Sequence, residues 1–488
     1  MQLITRVTAT VCTALVLTGC QTENIKMPDF AANLHGFNVD RSEELDKPMV
    51  EKVAENYKPM SEPDFDKGLL ELRKANRSHS DIPELEAYAN EIKDKLLAVW
   101  PGKKPSVRVV IVSDGNYNAV TFVEQHVVAL SVGTFRKAMD SEDQFAALIA
   151  HELSHILADH KNKDHLSGLV SKVSTLGELY LGAQQNAGAD IAGDYAKTQL
   201  AGWAAESLLF PAWNRGQENE ADALGVDLLV AAGYEPYGMV SVINSLEKTA
   251  GEKKAFVEKQ WIAAKKNASG ETVNISADPM ALIANIGGQL KDQYGQEYDS
   301  YADRKSKVNN YIDAFHEEAL DREATITRYK KRLSKTNVNV PLNRYLAVMD
   351  AEVSLAEGKV NTAASKALAG LQGPQANDPY IRYMMYQIRR QQGEMDKAAI
   401  NLRKAFESDR ATLSIYTDWA DSLINAKKYE AANTVLKAAD LTFEKPNSIL
   451  PALIKVNKAL KQDVNEYSIR CMATLDKTLM QNCSAASS

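Results

Sequence analysis

The sequence of 488 residues has little of the features that would define a class of protein on their own. Only four cysteines occur, and the two that follow Cys20 lie far down the chain, which argues against a cysteine-built structural zinc site. The net charge of -7 argues against nucleic acid, or an anionic membrane surface, as the main partner. No apolar run reaches the length of a transmembrane helix. The composition is that of a soluble globular protein, and the length predicts two domains after a leader.

The first nineteen residues have the pattern of a secretory leader. Residues 1–6 are basic, residues 7–17 are mostly apolar, and small residues precede Cys20. This pattern resembles a bacterial lipoprotein signal, which implies cleavage of residues 1–19, lipidation of Cys20 and a lipid anchor in the periplasm. Gln21, rather than aspartate, resembles the second position of lipoproteins of the outer membrane. The alternative is an ordinary secretory signal in which the cysteine has no role.

Two cysteines remain near the C-terminal end of the chain. Cys12 leaves with the leader and Cys20 is taken by lipid, so Cys471 and Cys483 form an isolated pair. In an oxidising periplasm this pair can close a short loop as a disulfide. The alternative is two unpaired thiols, which a thiol titration of the unreduced protein would count.

Residues 141–160 predict a buried amphipathic helix that carries the chemistry. Ser141 begins a capping box, and apolar residues then recur at the spacing of one helix face. His151 and His155 are four residues apart, so both imidazoles can point at one ion, while Glu152 lies about 100° round the helix axis. This is the H-E-x-x-H pattern of two zinc ligands and a carboxylate that takes a proton from zinc-bound water.

A third ligand is predicted in the acidic segment 213–225. If this segment is helical, Glu218 and Asp222 share one face. Glu218 would then complete a site with one open position, which is typical of a catalytic zinc ion, and Asp222 would accept the free N–H of a ligand imidazole. Glu220 is rotated away from both, and we expect it to be solvated. His160 is either a hydrogen-bond partner behind a ligand or a surface residue.

These motifs together resemble one gluzincin zinc metallopeptidase family, which includes the CAAX prenyl proteases, HtpX and BepA. The resemblance rests on H-E-x-x-H-x-x-x-x-H at 151–160, R-x-x-E-x-E-A-D at 215–222 and A-G-Y-E-P at 232–236. It implies Zn2+ bound by His151, His155 and Glu218, with Glu152 as the general base. The alternative is a structural zinc ion, but such a site would give Glu152 no role.

Two further positions are read through the same resemblance. Asn118 and Ala119 resemble the Asn-Ala that precedes the edge strand along which the substrate of the family lies. The family also carries a histidine with an arginine six residues later, and the match chosen here is Tyr301 with Lys307. A tyrosine hydroxyl can donate to a developing oxyanion, so Tyr301 is a candidate for that role.

The predicted fold class is mainly α with a small β-sheet. Residues 107–112 and 127–132 are rich in β-branched residues and predict two strands before the metal-binding helix. We expect a lipidated tether at 20–63, with a short helix near 52–56, and an α+β zinc metalloprotease domain at 64–320. An all-α region at 321–488 follows, where N-T-A-A, D-K-A-A and Y-E-A-A recur at intervals of 35 and 33 residues. This period predicts tetratricopeptide-like repeats.

The sequence therefore predicts a periplasmic zinc metalloendopeptidase. A protease domain followed by such repeats resembles BepA-like members of the family in layout. That analogy implies protein substrates of the cell envelope, quality control or assembly of outer-membrane proteins, and contact with the β-barrel assembly machinery. The competing interpretation is a chaperone or assembly scaffold that acts mainly through its repeats, with proteolysis rare or gated.

Overall fold

A computed structural model describes residues 46–58, 62–115, 117–136, 139–160, 215–264 and 300–487, and the structural statements below concern these residues. The predicted signal at 1–19 and the lipidation site Cys20 lie outside them.

The N-terminal part consists of three helices and a small sheet. The helices are α1 (Met49–Asn56), α2 (Phe65–Lys74) and α3 (Pro83–Ala98). The strands are β1 (Arg108–Val112), β2 (Ala119–Phe122) and β3 (Val127–Ser131). Their order in the sheet is β1-β3-β2, with β1 parallel and β2 antiparallel to the central β3. Strand β2 is therefore an edge strand among the described residues.

Both faces of the sheet are covered. Successive side chains of each strand point to opposite faces, and apolar side chains lie on both of them. On one face Val110, Val112 and Phe122 pack with Leu72 of α2. On the other face Val109, Ile111, Val128 and Leu130 belong to the main hydrophobic core, which also contains the apolar side chains of α3 and of the next helix, α4 (Glu142–Leu157). The sheet thus lies between α2 and the helix that carries the H-E-x-x-H motif.

The protease part contains three more helices among the described residues: α5 (Arg215–Ala231), α6 (Gly238–Ala264) and α7 (Tyr301–Phe315). Ten helices follow: α8 (Ile326–Leu333), α9 (Thr336–Ala356), α10 (Val360–Ala367), α11 (Pro379–Gln391), α12 (Met395–Phe406), α13 (Leu413–Asn425), α14 (Tyr429–Thr442), α15 (Leu450–Ala459), α16 (Asn465–Ala473) and α17 (Lys477–Ser487). A helix-rich domain with a small sheet, followed by an all-helical region, confirms the predicted fold class.

A regular backbone feature recurs in the helical region. One residue with positive φ lies in the turn after α9, α11, α13 and α15; these residues are Gly358, Gly393, Lys427 and Lys461. They are 35, 34 and 34 residues apart, which is the period of a tetratricopeptide helix pair. The assignment to this repeat class stays a prediction.

The two predicted domains share buried contacts. Tyr329 of α8 packs edge-on against Phe145 of α4, with ring centroids 6.2 Å apart. The main core continues from α4 through α9 to Ile388 of α11. At the other side, the Arg73 side chain of α2 donates to the carbonyl of Ala411 over 2.8 Å. The division at 320/321 stays a prediction of the sequence, and the buried core runs across it.

Part of the predicted tether is packed against the protease part. Met49 is fully buried, and its N–H donates to the Tyr311 hydroxyl over 2.7 Å. The N–H of Val50 donates to Asp227 of α5 over 2.7 Å. The short helix expected within the tether is therefore present as α1, and it is docked on the protease part; the bounds of the tether at 20–63 stay a prediction.

Two features bear on the anchoring and the end of the chain. Within the described residues, no helix combines the length and the apolar character required to cross a bilayer.

Cys471 of α16 and Cys483 of α17 are joined in a disulfide. Of the two alternatives for these cysteines, the structure contains the bridge.

Candidate active site

Helix α4 places the H-E-x-x-H motif inside the protein. The Ser141 side chain accepts from the N–H of Gln144 over 3.1 Å, which caps the helix as predicted. Every residue from Glu142 to Leu157 is buried. The imidazoles of His151 and His155 therefore project into a site formed with α5 and α7 rather than into bulk solvent.

The structure brings together the three predicted ligand side chains. The Nε2 atoms of His151 and His155 are 3.2 Å apart. Each lies 3.8 Å from one carboxylate oxygen of Glu218, and the three donor groups lie within 4.8 Å of one another. Two nitrogen ligands of a tetrahedral zinc ion are about 3.3 Å apart, since Zn–N distances are about 2.05 Å. Two imidazoles and one carboxylate are also the donor set of catalytic zinc sites, so these residues fit Zn2+.

Asp222 fixes the orientation of the first histidine. Its Oδ1 lies 2.9 Å from Nδ1 of His151, and a carboxylate can only accept at this contact. Nδ1 of His151 therefore carries the proton, and the lone pair of Nε2 faces His155 and Glu218. This is the contact predicted for Asp222, and it prepares His151 as a ligand.

A second chain of contacts fixes the other histidine. Glu220 lies 3.2 Å from Nε2 of His160, and Nδ1 of His160 lies 2.8 Å from Nδ1 of His155. The Glu220 carboxylate accepts from Nε2–H of His160, so Nδ1 of His160 accepts from His155. The Nε2 of His155 is then unprotonated as well. Two lone pairs facing each other at 3.2 Å repel, which is the arrangement that a cation between them relieves.

Two predictions are settled by this chain. His160 is buried, with 4% of its surface exposed, and it is the hydrogen-bond partner of a ligand rather than a surface residue. The expectation that Glu220 is solvated is wrong, because it is also only 4% exposed. Its rotation away from Glu218 on α5 turns it toward His160, which lies just beyond the end of α4.

The charges at the site are strongly coupled. Burial lowers the pKa of His155 well below its usual value, and repulsion from the protonated form of His151 and from the Arg304 guanidinium adds to this shift. Burial raises the pKa of Glu152, and the nearby Glu218 carboxylate adds to this effect. A neutral imidazole and a carboxylate of raised basicity suit metal binding and proton transfer respectively.

The general-base candidate, Glu152, is held by the edge strand. The Thr121 hydroxyl of β2 donates to Oε2 of Glu152 over 2.5 Å and lies 3.3 Å from its backbone carbonyl. Glu152 is 7% exposed, and its carboxylate is close enough to His151 and Glu218 for their charges to act on its pKa. A metal-binding set with an adjacent basic carboxylate is the arrangement that distinguishes a hydrolytic centre from a structural metal site.

Comparison with known proteins agrees with this geometry. The sequence model of peptidase family M48 matches residues 83–298. Residues 83–298 are therefore similar to that peptidase family. The match contains all three ligand candidates and Glu152, and it confirms the resemblance drawn from the motifs.

Two relatives add to this comparison. A beta-barrel assembly-enhancing protease of Yersinia pestis is 28% identical over 171 residues, which cover 34% of this chain and 33% of that protein. A beta-barrel assembly-enhancing protease of Escherichia coli (strain K12) is 29% identical over 170 residues, with the same coverage. The match thus spans about a third of the length of these relatives.

Arg304 is a residue of this site that sequence reasoning missed. Its guanidinium binds both Asp222 oxygens, with Nε–Oδ2 at 2.9 Å and Nη2–Oδ1 at 2.8 Å. Its Nη1 lies 2.9 Å from Oε2 of Glu218. Burial alone would raise the pKa of Asp222, but the charge of Arg304 and the hydrogen bond with His151 lower it to about 2. Asp222 therefore stays an anion beside His151.

The signal for Arg304 was present in the sequence. The family spacing of six residues leads back from Arg304 to Tyr298, whereas the sequence analysis counted forward from Tyr301 to Lys307. Tyr298 lies outside the described residues. The arginine contact with the site is made by Arg304, which lies in the first turn of α7 behind the capping box of Ser300.

Tyr301 is the first residue of α7 and lies close to the charged groups of the candidate site. It is half-buried against the main core. Burial raises the pKa of its hydroxyl, with Glu218 adding to the shift and Arg304 opposing it. The hydroxyl is therefore a proton donor at neutral pH, which the predicted role requires; the role itself stays a prediction.

Asn118 and Ala119 lie where the sequence analysis placed them, at the start of the edge strand. The Asn118 carbonyl accepts from the N–H of Ser131 over 3.0 Å and from the Thr134 hydroxyl over 3.1 Å. The Asn118 N–H is within 3.1 Å of the Ser131 hydroxyl. These contacts fix the beginning of β2 and thereby the position of the strand beside the candidate site.

Proposed function

We propose that this protein is a zinc-dependent metalloendopeptidase that hydrolyses peptide bonds of proteins. The observation that carries the proposal is the convergence of His151, His155 and Glu218, all with metal-binding atoms, beside the buried carboxylate of Glu152. A structural site would need a fourth protein ligand, and none of the other histidines, cysteines or carboxylates described joins this cluster.

The proposed reaction divides the work between the ion and the chain. When bound, zinc supplies a Lewis acid that polarises the scissile carbonyl and acidifies the attacking water. Glu152 takes the proton of that water and delivers it to the leaving nitrogen. Asp222 and the Glu220–His160 pair keep the two imidazoles in the tautomers that bind a metal.

The edge strand supports a binding mode for an extended peptide. In an antiparallel ladder, hydrogen-bonded residue pairs alternate with pairs that are not hydrogen-bonded. Because the N–H of Ser131 donates to the carbonyl of Asn118, the next hydrogen-bonded pair along β2 and β3 is Val120 with Ala129. The backbone groups of Ala119 and Thr121 then point to the open side of β2. An extended peptide can pair with these groups, as in β-augmentation, and bring one of its carbonyls to the site.

Tyr301 is proposed as a donor to the oxygen of that carbonyl in the transition state. Its position at the start of α7, together with a hydroxyl that stays protonated, supports the role. Tyr301→Phe should lower kcat on an accessible peptide by about tenfold or more, with zinc content unchanged. Full activity of the Tyr301→Phe protein would remove the role.

The central experiment compares three variants with the wild type on an unstructured protein substrate. Glu152→Gln should retain one zinc ion and lose cleavage. His151→Ala should lose zinc as well as cleavage, because one of three ligands is gone. The control is Asp321→Asn: Asp321 is exposed and is not part of the metal-binding cluster, so this variant should cleave like the wild type. Wild-type turnover by a clean Glu152→Gln preparation, or a wild-type protein without zinc, would refute the proposal.

The proposed setting is the periplasm, with a lipid anchor at Cys20 in the outer membrane. The lipoprotein-like leader supports the anchor, and the names of the two relatives, which refer to the enhancement of β-barrel assembly, support cell-envelope proteins as substrates. Contact with the β-barrel assembly machinery is proposed by the same analogy. Palmitate should label the wild type and not Cys20→Ala; equal labelling of both would refute the anchor.

A scaffold acting through the repeats is the second candidate function. It is favoured by large apolar side chains that the helical region exposes. Examples are Met395, Ile400, Leu441, Ile469 and Leu475. Such side chains are available for contact with client proteins. A rescue experiment separates the candidates. If Glu152→Gln fully restores a strain that lacks the protein, the scaffold is the main function; if it does not, proteolysis is.

A further inference from the structure

We propose that Thr121 is a positioning residue that holds the Glu152 carboxylate from the edge strand, so that the substrate-binding strand and the general base form one unit. This proposal rests on the proposed peptidase function. It concerns a residue that the H-E-x-x-H motif does not contain and that lies about thirty positions before it.

The side chain of Thr121 points to the site because of strand alternation. Val120 and Phe122 lie on the face of the sheet that packs with α2. Ala119 and Thr121 therefore lie on the opposite face, and Ala119 packs against the main core next to α4. Thr121 is 1% exposed and faces α4 at the residue that follows the first zinc ligand.

The hydroxyl is the feature of Thr121 that matters at this position. Its single proton goes to Oε2 of Glu152, the nearer of two oxygens at 2.5 and 3.3 Å. Valine has the same shape and would fill the space equally well, but it would leave a buried carboxylate oxygen without a donor. Among the described residues, no other side chain donates a hydrogen bond to this carboxylate.

The backbone of the same residue faces the proposed substrate. The ladder phase leaves the N–H and C=O of Thr121 on the open edge of β2, where an extended peptide would pair. Thr121 thus sets both the register of the bound peptide along β2 and the side-chain rotamer of Glu152. The distance between the scissile carbonyl and Glu152 is then fixed by a short, buried connection, as proximity catalysis requires.

The test compares Thr121→Val with Thr121→Ser on a fluorogenic peptide long enough to pair with β2. Thr121→Val should lower kcat by about tenfold to a hundredfold, the range for residues that orient catalytic groups, with KM changed less than threefold. Thr121→Ser keeps the donor and should recover most of kcat. Thr434→Val, an exposed helical position with a local hydrogen bond, is the matched control and should leave both constants unchanged.

Two further measurements separate positioning from a structural role. The zinc content and the melting temperature of Thr121→Val should match the wild type. In the Glu152→Gln background, Thr121→Val should not change peptide affinity, measured by fluorescence anisotropy. Wild-type kcat in Thr121→Val, failure of serine to rescue, or loss of zinc would overturn the proposal. If the wild-type protein itself cleaves no peptide, the proposed function has failed, and the inference falls with it.

Discussion

The guanidinium of Arg304 and the carboxylate of Asp222 form a buried two-point ion pair, with contacts of 2.9 and 2.8 Å. The same guanidinium reaches Glu218 over 2.9 Å. Arg304 therefore holds both a proposed zinc ligand and the residue that orients His151. Planar bidentate pairing of this kind cannot be copied by lysine, which is a point charge.

Replacing Arg304 should weaken zinc binding more than it weakens the fold. In Arg304→Gln, Glu218 and Asp222 lose the two-point donor that orients them, and this loss of orientation should lower the zinc affinity by about tenfold to a hundredfold. Competition with a chelating dye measures this change. Lys305→Gln, whose ion pair with Glu247 is largely exposed, is the control and should bind zinc like the wild type. Equal affinities in both variants would contradict the role of Arg304.

The contact chain behind His155 makes a separate prediction. In Glu220→Gln the amide can donate to His160, which would turn its Nδ1 into a donor and place the proton of His155 on Nε2. That tautomer cannot bind zinc, so the affinity should fall by at least about tenfold. The dye competition used for Arg304 measures it, with Glu247→Gln as control. An unchanged affinity would mean that His155 is oriented by something other than Glu220.

Removal of the metal should lower stability reversibly. A ligand that binds only the folded state contributes about 2.7 kcal/mol when its free concentration is a hundred times its Kd. Treatment with a chelator should therefore lower the melting temperature, and added zinc should restore it. Glu152→Gln should show the same shift, because it keeps the ligands. His155→Ala should show none; a full shift in that variant would place the metal elsewhere.

A buried carboxylate away from the site should matter for stability alone. Asp227 accepts hydrogen bonds from Val50 N–H, from the Tyr311 hydroxyl and from the His316 ring, at 2.6 to 2.9 Å. Asp227→Ala leaves these donors without an acceptor and should cost about 3 kcal/mol of unfolding free energy. Urea denaturation measures this. Asp321→Ala, at an exposed position, should change it by less than about 0.5 kcal/mol.

The disulfide gives a chemical prediction as well as a stability one. The mature protein should contain no free sulfhydryl before reduction, since Cys471 and Cys483 are bridged. Closing a loop of this length is worth about 3 kcal/mol in the chain-entropy account. Reduction, or replacement of both cysteines by serine, should therefore lower the unfolding temperature of the C-terminal helices. Two titratable thiols in the unreduced protein would contradict the bridge.

The sequence predicted the ligand set because helical spacing is local information. His151, Glu152 and His155 occupy one turn of α4, and Glu218 with Asp222 one turn of α5, so their relative directions follow from the helix period. Contacts between distant elements were not predictable in this way. Thr121 and Arg304 reach the site through tertiary packing. The expectation for Glu220 on α5 was wrong because its partner, His160, lies just beyond the end of a different helix, α4.

The same distinction holds for the fold. The period of the C-terminal helices follows from recurrent small residues, and the turns at Gly358 and Gly393 have the positive φ that glycine adopts without cost. What the period could not reveal is how the helices lie on the protease part. The contacts of Arg73 with Ala411 and of Tyr345 with Asp81 join segments more than 250 residues apart, which no periodicity encodes.

The attachment of α1 to α5 limits how far the proposed enzyme can work from a membrane. Its backbone is tied at Met49 and Val50 to residues on the helices that carry Glu218 and Arg304. If Cys20 is lipidated, only the stretch from there to Met49 separates the bilayer surface from the catalytic body. Fully extended, that stretch spans at most about 100 Å. The attachment point of α1 would then stay within this radius of the membrane that holds the lipid, and cleavage would be confined to proteins near that surface.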